Sequence, residues 1–379
     1  MVRALGIDPG TRSFDVCGLD DGKVYFEKVI DTVKLVDGPE PMMQAIEEAR
    51  PLDLITGPSG YGVELTYLKD IDNPGEFMRT ILLLLRKDDY EAALARRDLG
   101  IMVYAAMIKL EIEMKRRELP VCYIPGVIQL PTVPLHRKAN KIDMGTVDKA
   151  CAAVLGVHDQ AKRLKIPYSE TSFILIESGF GYNAVIGVEG GRIVDGIGGT
   201  IGGPGFLTIG GVDAELAAIV GRWEKADIFT GGGISICGRG SLEEIGDHLD
   251  EEGCRVAWEA IIEGVEKGVA SMTVSAPKAR EILLSGRWAR TTKSQEELTR
   301  RLSRFGPVRM VGWLEGATMV KEAAQGYAMV ADGLVRGRYV ELVEWMRIRD
   351  AKGTALDYVY HPKGRGVLQE LAPWFKSAT

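Results

Sequence analysis

Leu5-Gly6-Ile7-Asp8-Pro9-Gly10 recurs in pattern as Ile174-Leu175-Ile176-Glu177-Ser178-Gly179. The offset that lays residue 5 over residue 174 carries on without a gap. Gly10 meets Gly179, Val16 meets Val185, Gly18 meets Gly187 and Asp20 meets Glu189. Gly22 then meets Gly191, Lys23 meets Arg192 and Val24 meets Ile193. Each copy reads as an apolar strand closed by an acid, a glycine turn, a second strand, another glycine turn and a third strand. These are hairpin signals. An internal repeat is the first thing to seek in a chain, because it sets the architecture. Here it implies two α/β halves of one design.

The halves continue alike. In the first, a helical pattern near Met42 to Ala49 leads to the apolar strand-like Leu52 to Gly57, a long helical stretch of about 76–117, and an extended, proline-rich stretch from Val121 to Val133. Thr146 to Leu155 reads as a helix with Thr146 as its N-cap. In the second, Trp258, Ile261, Ile262, Val265, Val269 and Met272 share one helical face. Glu281 to Gly286 and Val308 to Trp313 read as strands, and Val320 to Leu334 as an amphipathic helix. The short polar stretch Pro167 to Thr171 marks the boundary. It gives a first domain of 1–168 with a helical insertion at about 76–117, and a second of 169–379. Duplicated α/β halves place a ligand in the cleft between them, as open sheets bind at strand carboxyl ends.

Composition narrows the classes. The chain has 379 residues, a formal net charge of −6 and 46 glycines, of which 19 lie between Gly179 and Gly240. The glycines show no Gly-X-Y period, which excludes collagen. An acidic balance argues against nucleic acid as a partner. No apolar run approaches the ~20 residues of a membrane span, and the first residues do not read as a signal peptide. The five cysteines (17, 122, 151, 237 and 254) are scattered, without a Cys-x-x-Cys pair. They read as buried, reduced thiols of a cytoplasmic protein. The charge run Glu111 to Glu118 reads as a solvated helix face.

The chemistry concentrates at the repeated turns. Asp8-Pro9-Gly10-Thr11-Arg12-Ser13 exposes consecutive backbone N–H groups and hydroxyls, which cradle phosphate oxygens. Asp8 stands where a strand-end carboxylate holds Mg²⁺, directly or through water. Glu177-Ser178-Gly179-Phe180-Gly181-Tyr182-Asn183 is its counterpart. Two such turns facing each other can clamp one polyphosphate and its metal, with Asp8 and Glu177 as metal candidates. Gly10, Thr11, Arg12, Ser13, Gly179, Gly181, Tyr182 and Asn183 are then nucleotide candidates. Asp148, with Asp143 second, is the candidate general base or substrate-orienting carboxylate. His136 and Arg137 are candidates for binding an anionic substrate. His158, His248 and His361 carry no neighbouring ligand pattern.

With those residues in view, the chain resembles the acetate and sugar kinase, heat-shock chaperone and actin superfamily. Within it, the chain looks most like the acetate/butyrate kinase branch and an archaeal family described as predicted butyrate kinases. Gly191-Arg192-Ile193-Val194-Asp195 and Gly203-Pro204-Gly205-Phe206 resemble the butyrate kinase run from a Gly-Arg strand into a Gly-Pro-Phe loop. Ile282 to Arg287 resembles the adenosine motif, and Leu314-Glu315-Gly316-Ala317 with Ala323 to Gly326 resembles the closing segment. Gly145 to Lys149 loosely resembles the Gly-Ala-Asp-Arg motif of type III pantothenate kinases. The resemblance implies two ribonuclease H-like (actin-like ATPase) domains around a cleft, ATP and Mg²⁺ as cofactors, and Ser285, Gly286, Arg287, Glu315 and Gly316 as further nucleotide contacts. There are departures. Asp8 stands where acetate and butyrate kinases usually carry Asn. No arginine follows the proline-containing loop in Phe206 to Gly211, and there is no His-Gly-Gly motif.

Two function classes follow. One is an ATP- and Mg²⁺-dependent kinase with a small-molecule acceptor, a carboxylate such as butyrate or a hydroxyl compound. The other is a nucleotide-gated regulatory ATPase acting on a protein partner. A homodimer is compatible with either. A hydride-transferring Rossmann enzyme fits poorly, since the turn at Asp8 lacks Gly-x-Gly-x-x-Gly.

Overall fold

A computed structural model describes residues 2–373, so the last residues of the expected second domain, 374–379, lie outside it. The repeat is realised strand for strand. In the first half β1 (Arg3–Asp8), β2 (Ser13–Asp20) and β3 (Lys23–Asp31) form an antiparallel meander. In the second half β7 (Phe173–Ser178), β8 (Asn183–Glu189) and β9 (Arg192–Ile197) repeat it. Between them come β4 (Leu54–Thr56), β5 (Gly62–Tyr67) and β6 (Val121–Pro125). After them come β10 (Ile282–Ser285) and β11 (Val308–Met310).

The first sheet runs β3-β2-β1-β4-β6-β5 and the second β11-β10-β7-β8-β9. Read from the meander outward, the two orders agree, except that antiparallel β5 is added at the edge of the first. The registers agree as well. Leu5 lies opposite Gly18 and Ile174 opposite Gly187. Both meanders carry an irregularity at the same repeated place, between Gly18 and Leu19 and between Gly187 and Val188. A bulge accentuates local twist, so the two sheets curl alike. The chain is therefore a mixed α/β protein of two similar sheets, the fold class implied by the repeat.

The helices surround these sheets. They include α1 (Glu40–Glu48), α2 (Lys87–Arg96), α3 (Leu99–Arg116), α4 (Val147–Leu164), α5 (Glu252–Ser275) and α6 (Glu322–Leu334). The stretch 76–117 is not one helix. Arg97 takes a left-handed conformation (φ 57°) that ends α2, and Asp98 caps α3. The chain just before α2 includes a wider π turn, Met78–Leu82.

Two helices sit centrally. α6 packs on β1, β2 and β4 and against α4, and α4 reaches β7 and β8. One apolar cluster accordingly runs from Ala4 and Leu54 through Val154 and Tyr327 to Leu175 and Leu283. The α4–α6 crossing is backbone to backbone. A Cβ on Gly326 would lie 2.0 Å from the Cys151 carbonyl oxygen, so only glycine fits there.

Two readings are corrected here. Cys237 and Cys254 form a disulfide (Cα–Cα 4.6 Å) because the short helix Gly233–Cys237 folds back on α5; Cys17, Cys122 and Cys151 are free and buried. Glu111 is not on a solvated face. It is fully buried on α3 among apolar neighbours, and neither carboxyl oxygen has a hydrogen-bond partner. Burial drives its pKa well above the carboxylate range, against the pull of Lys115. The rest of the run, Glu113 and Arg116 to Glu118, does meet solvent to varying degrees. Among the described residues, no helix is long and apolar enough to cross a membrane.

Candidate functional site

β1 and β7 end side by side at the same kind of place, with their carboxyl termini opening into one cleft of about 300 Å³. Asp8 and Glu177 are the last acids of these strands, and the turns that follow them line the opening. Each turn is held by its own hydrogen bonds. In the first, Thr32 Oγ1 donates to the Gly10 carbonyl (2.7 Å) and Ser13 Oγ donates to Asp15 Oδ1 (2.8 Å). In the second, the Gly179 N–H donates to the Tyr182 carbonyl (3.0 Å), while the N–H groups of Leu207 and Thr208 fix the Gly181 carbonyl. The turns touch across the cleft, with the Arg12 guanidinium 3.8 Å from the centre of the Phe180 ring.

Gly179 has no packing reason to be glycine. An added Cβ would find nothing nearer than 3.6 Å, and its φ lies outside the left-handed region. What the missing side chain leaves is clearance beside the turn, while the Gly179 N–H itself is spent on the Tyr182 carbonyl. Nearby, Ser178 Oγ, Asn183 Oδ1 and Glu177 Oε2 are buried without hydrogen-bond partners. Native interiors rarely leave such groups unmatched.

The charges interlock. Lys321, at the N-terminus of α6, sets its ammonium 2.6 Å from Asp8 and 3.8 Å from Asp15. Lys149, in the first turn of α4, pairs with neighbouring Asp148 and lies 3.3 Å from Glu177 Oε2. That last contact is an ion pair without hydrogen-bond geometry. The second half thus lends a lysine to the first half's acid, and the first half lends one to the second's. Burial pushes Asp8 up to about 7, with Lys321 opposing. Burial likewise raises Glu177 against Lys149. For Asp148 burial is outweighed by Lys149 and the Thr146 hydroxyl, and the carboxyl is held below its ordinary value. Burial works against charge on Lys149, but Asp148 and Glu177 keep it protonated.

The other candidates divide. Ser285 and Arg287 line the cleft beside Gly286, whose φ of 94° and contact with the Ser178 carbonyl admit no side chain. Arg287 reaches Asp15 at 3.2 Å. Thr11, Arg12, Ser13, Gly181 and Tyr182 line it too, and Asn183 is buried at the start of β8. Asp143 also lines it, but its oxygens accept from the backbone N–H groups of Gly145 and Thr200 and from the Thr200 hydroxyl. It is a latch between the halves rather than a free base. Thr146 does not cap α4 with its side chain; it donates to Asp148 instead.

Four candidates stand outside the cleft. Pro134 starts the short helix Leu135–Lys138, which leaves His136 exposed and turns Arg137 to the Val194 carbonyl (2.8 Å) and toward Asp195. Glu315 and Gly316 are exposed on the crossing from edge strand β11 to α6. Glu27 on β3 holds that crossing through the Thr318 N–H (2.8 Å), and Glu315 borders a separate cavity with Lys23, His158 and Arg338.

Lys321, Asp15 and the aromatic residues Tyr61, Tyr104 and Phe229 converge here without any motif in the sequence that marks them. Lys149 alone had a signal, as the neighbour of Asp148. Oxygen donors from Asp8, Asp148 and Glu177 suit a hard divalent cation. Among the described residues, no group of three or more ligating side chains forms a complete metal site. Mg²⁺ needs none, since it is usually held by one or two carboxylates together with substrate phosphates.

Comparison with known proteins supports the fold. Residues 6–361 match the model of a family described as Protein of unknown function (DUF1464). No curated protein sequence matches the chain. Among solved structures, a propionate kinase from Francisella tularensis subsp. tularensis SCHU S4 is similar at a TM-score of 0.56 and 14% identity, covering 86% of this chain and 98% of that one. Acetate kinase from Entamoeba histolytica is similar at 0.54 and 12%, covering 80% and 87%. Porphyromonas gingivalis acetate kinase is similar at 0.54 and 12%, covering 88% and 99%. At such identities the likeness establishes the fold alone: two similar α/β units around a cleft, as in these acetate and propionate kinases.

Proposed function

The chain belongs to the DUF1464 family, and we propose that it is an ATP-dependent phosphotransferase acting on a small-molecule acceptor. The observation that carries this reading is the pair of acid-and-glycine turns facing each other, one of them with an empty approach at Gly179 and two unmatched polar atoms, Ser178 Oγ and Asn183 Oδ1, beside it. Backbone N–H groups exposed in turns of this kind bind phosphate oxygens. The names of the similar solved structures, acetate and propionate kinases, point the same way.

In this reading Gly10, Thr11, Arg12 and Ser13 hold one side of the polyphosphate, and Gly179, Gly181, Tyr182 and Asn183 the other. Ser285, Gly286 and Arg287 border the nucleoside. Asp8 and Glu177 hold Mg²⁺, which when bound neutralises phosphate charge. Asp148, kept ionised by Lys149 and Thr146, orients the acceptor and receives its proton. A weak base suffices, since phosphoryl transfer depends mainly on positioning and charge neutralisation. The two units supplying these groups are 1–168 and 169–379.

Calorimetry with the non-hydrolysable analogue AMPPNP and Mg²⁺, beside an ADP-release assay over short-chain acids, hydroxy acids and sugars, tests it. Asp148→Ala is expected to lower acceptor-dependent turnover by about 10²–10⁴-fold while sparing AMPPNP affinity. Unchanged turnover removes Asp148 from the mechanism.

A nucleotide-gated regulator is the competing reading. It is favoured by the helix Ala214–Val220, which buries none of its residues and exposes Leu216, Ile219 and Val220. ATP consumption stimulated by a small-molecule acceptor decides against it.

A further inference from the structure

We propose that the acceptor is an alcohol carried on a bulky apolar body, aromatic or branched, rather than a short-chain carboxylate. The proposal rests on the phosphotransfer reading above. Its basis is the part of the cleft between the helical insertion and the second turn, whose Tyr182 it shares. There Tyr61, Val103, Tyr104, Met107, Tyr182 and Phe229 form a chamber continuous with Asp148. Its rings interlock: Phe229 stands edge to face with Tyr104 (centroids 5.7 Å apart) and with Tyr182 (5.6 Å). Such a wall gains by burying apolar surface. Acetate is too small to cover it, and a sugar's many hydroxyls would lie unpaired against it.

A strap from the other half walls the chamber. Arg96 on α2 pairs with Glu224 at 2.9 Å, Arg222 pairs with Asp89 at 2.7 Å, and Lys225 donates to the Tyr61 hydroxyl at 2.9 Å. Phe229 lies directly on the α3 backbone, because a Cβ at Gly100 would fall 2.1 Å from its ring. The helical insertion and the segment 222–229 therefore wall the compartment beside the reacting end. Limiting water there protects a phosphoryl group in transfer from hydrolysis.

Charge selects the acceptor group. Asp8, Asp148 and Glu177 all face the reacting end. At the reacting end both lysines that line the cleft are paired, Lys321 with Asp8 and Lys149 with Asp148 and Glu177; Arg12 and Arg287 belong to the nucleotide side, and Lys225 on the strap donates to the Tyr61 hydroxyl. A carboxylate would arrive unpaired in a field of like charge, which costs binding. A neutral hydroxyl meets no such penalty and finds Asp148 as an acceptor for its hydrogen bond. The reaction balances without a further reactant. The alcohol oxygen bonds to the γ-phosphorus of ATP, and the bond from that phosphorus to the β,γ-bridging oxygen breaks. Its electron pair leaves on ADP. The hydroxyl proton passes to the Asp148 carboxylate and from there to water.

The test uses the full chain with ATP and Mg²⁺ in an ADP-release assay, with AMPPNP binding measured separately. Benzyl alcohol, 2-phenylethanol and 3-methylbutan-1-ol are compared with acetate, butyrate, glycerol and glucose. The apolar alcohols are expected to show kcat/KM about 100-fold above the other four. Val103→Trp, which fills the chamber, is expected to raise KM for 2-phenylethanol by about 10-fold with a smaller change in kcat. Val103→Ala, which preserves the fold more safely, is expected to shift preference toward the larger alcohols. AMPPNP binding with acetate, butyrate, glycerol or glucose consumed as well as the alcohols, or with no alcohol consumed, overturns the acceptor class and leaves the phosphotransfer reading standing. Absence of AMPPNP binding overturns that reading, and the proposal falls with it.

Discussion

Gly179→Ala separates a glycine kept for a ligand from one kept for packing. The added Cβ would meet no atom closer than 3.6 Å, and the residue does not use a left-handed conformation. Folding stability should therefore change by less than about 0.5 kcal/mol, with a small gain from lower unfolded-state entropy as the opposing tendency. Nucleotide binding should respond very differently. The methyl group occupies the clearance beside the turn, pushing phosphate oxygens away from it. Losing one charge-assisted hydrogen bond costs about 1.5–3 kcal/mol, which corresponds to about 10–100-fold in Kd. Urea unfolding gives the first quantity and calorimetric titration with Mg²⁺ and AMPPNP the second. A variant that binds AMPPNP like the wild type would refute the assignment of this turn to phosphate, whatever its stability. A variant that loses several kcal/mol of stability would show that the clearance is structural.

Gly326→Ala is the mirror case. Its Cβ would sit 2.0 Å from a backbone oxygen, so overpacking of about 1–3 kcal/mol or more should exceed the ~1 kcal/mol gained in helix propensity; a lower urea midpoint checks this, and an unchanged one sinks it. Lys149→Met strands Asp148 and Glu177 and should cost about 3–5 kcal/mol, partly restored by adding Glu177→Gln; chemical denaturation of both variants is the measurement. Glu111 carries a pH dependence. Its folded pKa is raised, so its contribution is present below its ordinary value of 4.5 and is lost as pH rises toward the folded value. Glu111→Gln should flatten that decline in a series of melting temperatures against pH, and parallel curves would contradict it.

Much of the fold was legible because duplication writes the same local instructions twice. Gly18 and Gly187 sit at matching registers, and the sheet irregularities follow them. Asp8 and Glu177 could be placed opposite each other because each closes the first strand of its meander, and Ser285 to Arg287 because a strand runs straight into the turn. What escaped reading depends on contacts that no local pattern records. Lys321 reaches Asp8 only because α6 returns to the first sheet. Tyr61, Tyr104 and Phe229 belong to separate segments and share no motif, yet they wall one chamber. Glu315 and Gly316 look like the end of a strand in a site, but the chain must still cross to α6, and Glu27 holds it on that route. Glu111 differs from its charge run for a related reason: such a run predicts a wet face only when every member points the same way, and this one points inward.

The reciprocal lysines make the two copies hostages to each other. Were either half produced alone, its strand-end acid would be left without its cation, and its own lysine would have lost the acid across the cleft. A buried charge stripped of its partner is heavily destabilising. The duplication has thus ceased to be a redundancy. Neither copy can be deleted, exchanged or allowed to drift without unbalancing its twin: a substitution at Lys321 should be felt first in the half that does not contain it, and one at Lys149 in both halves at once.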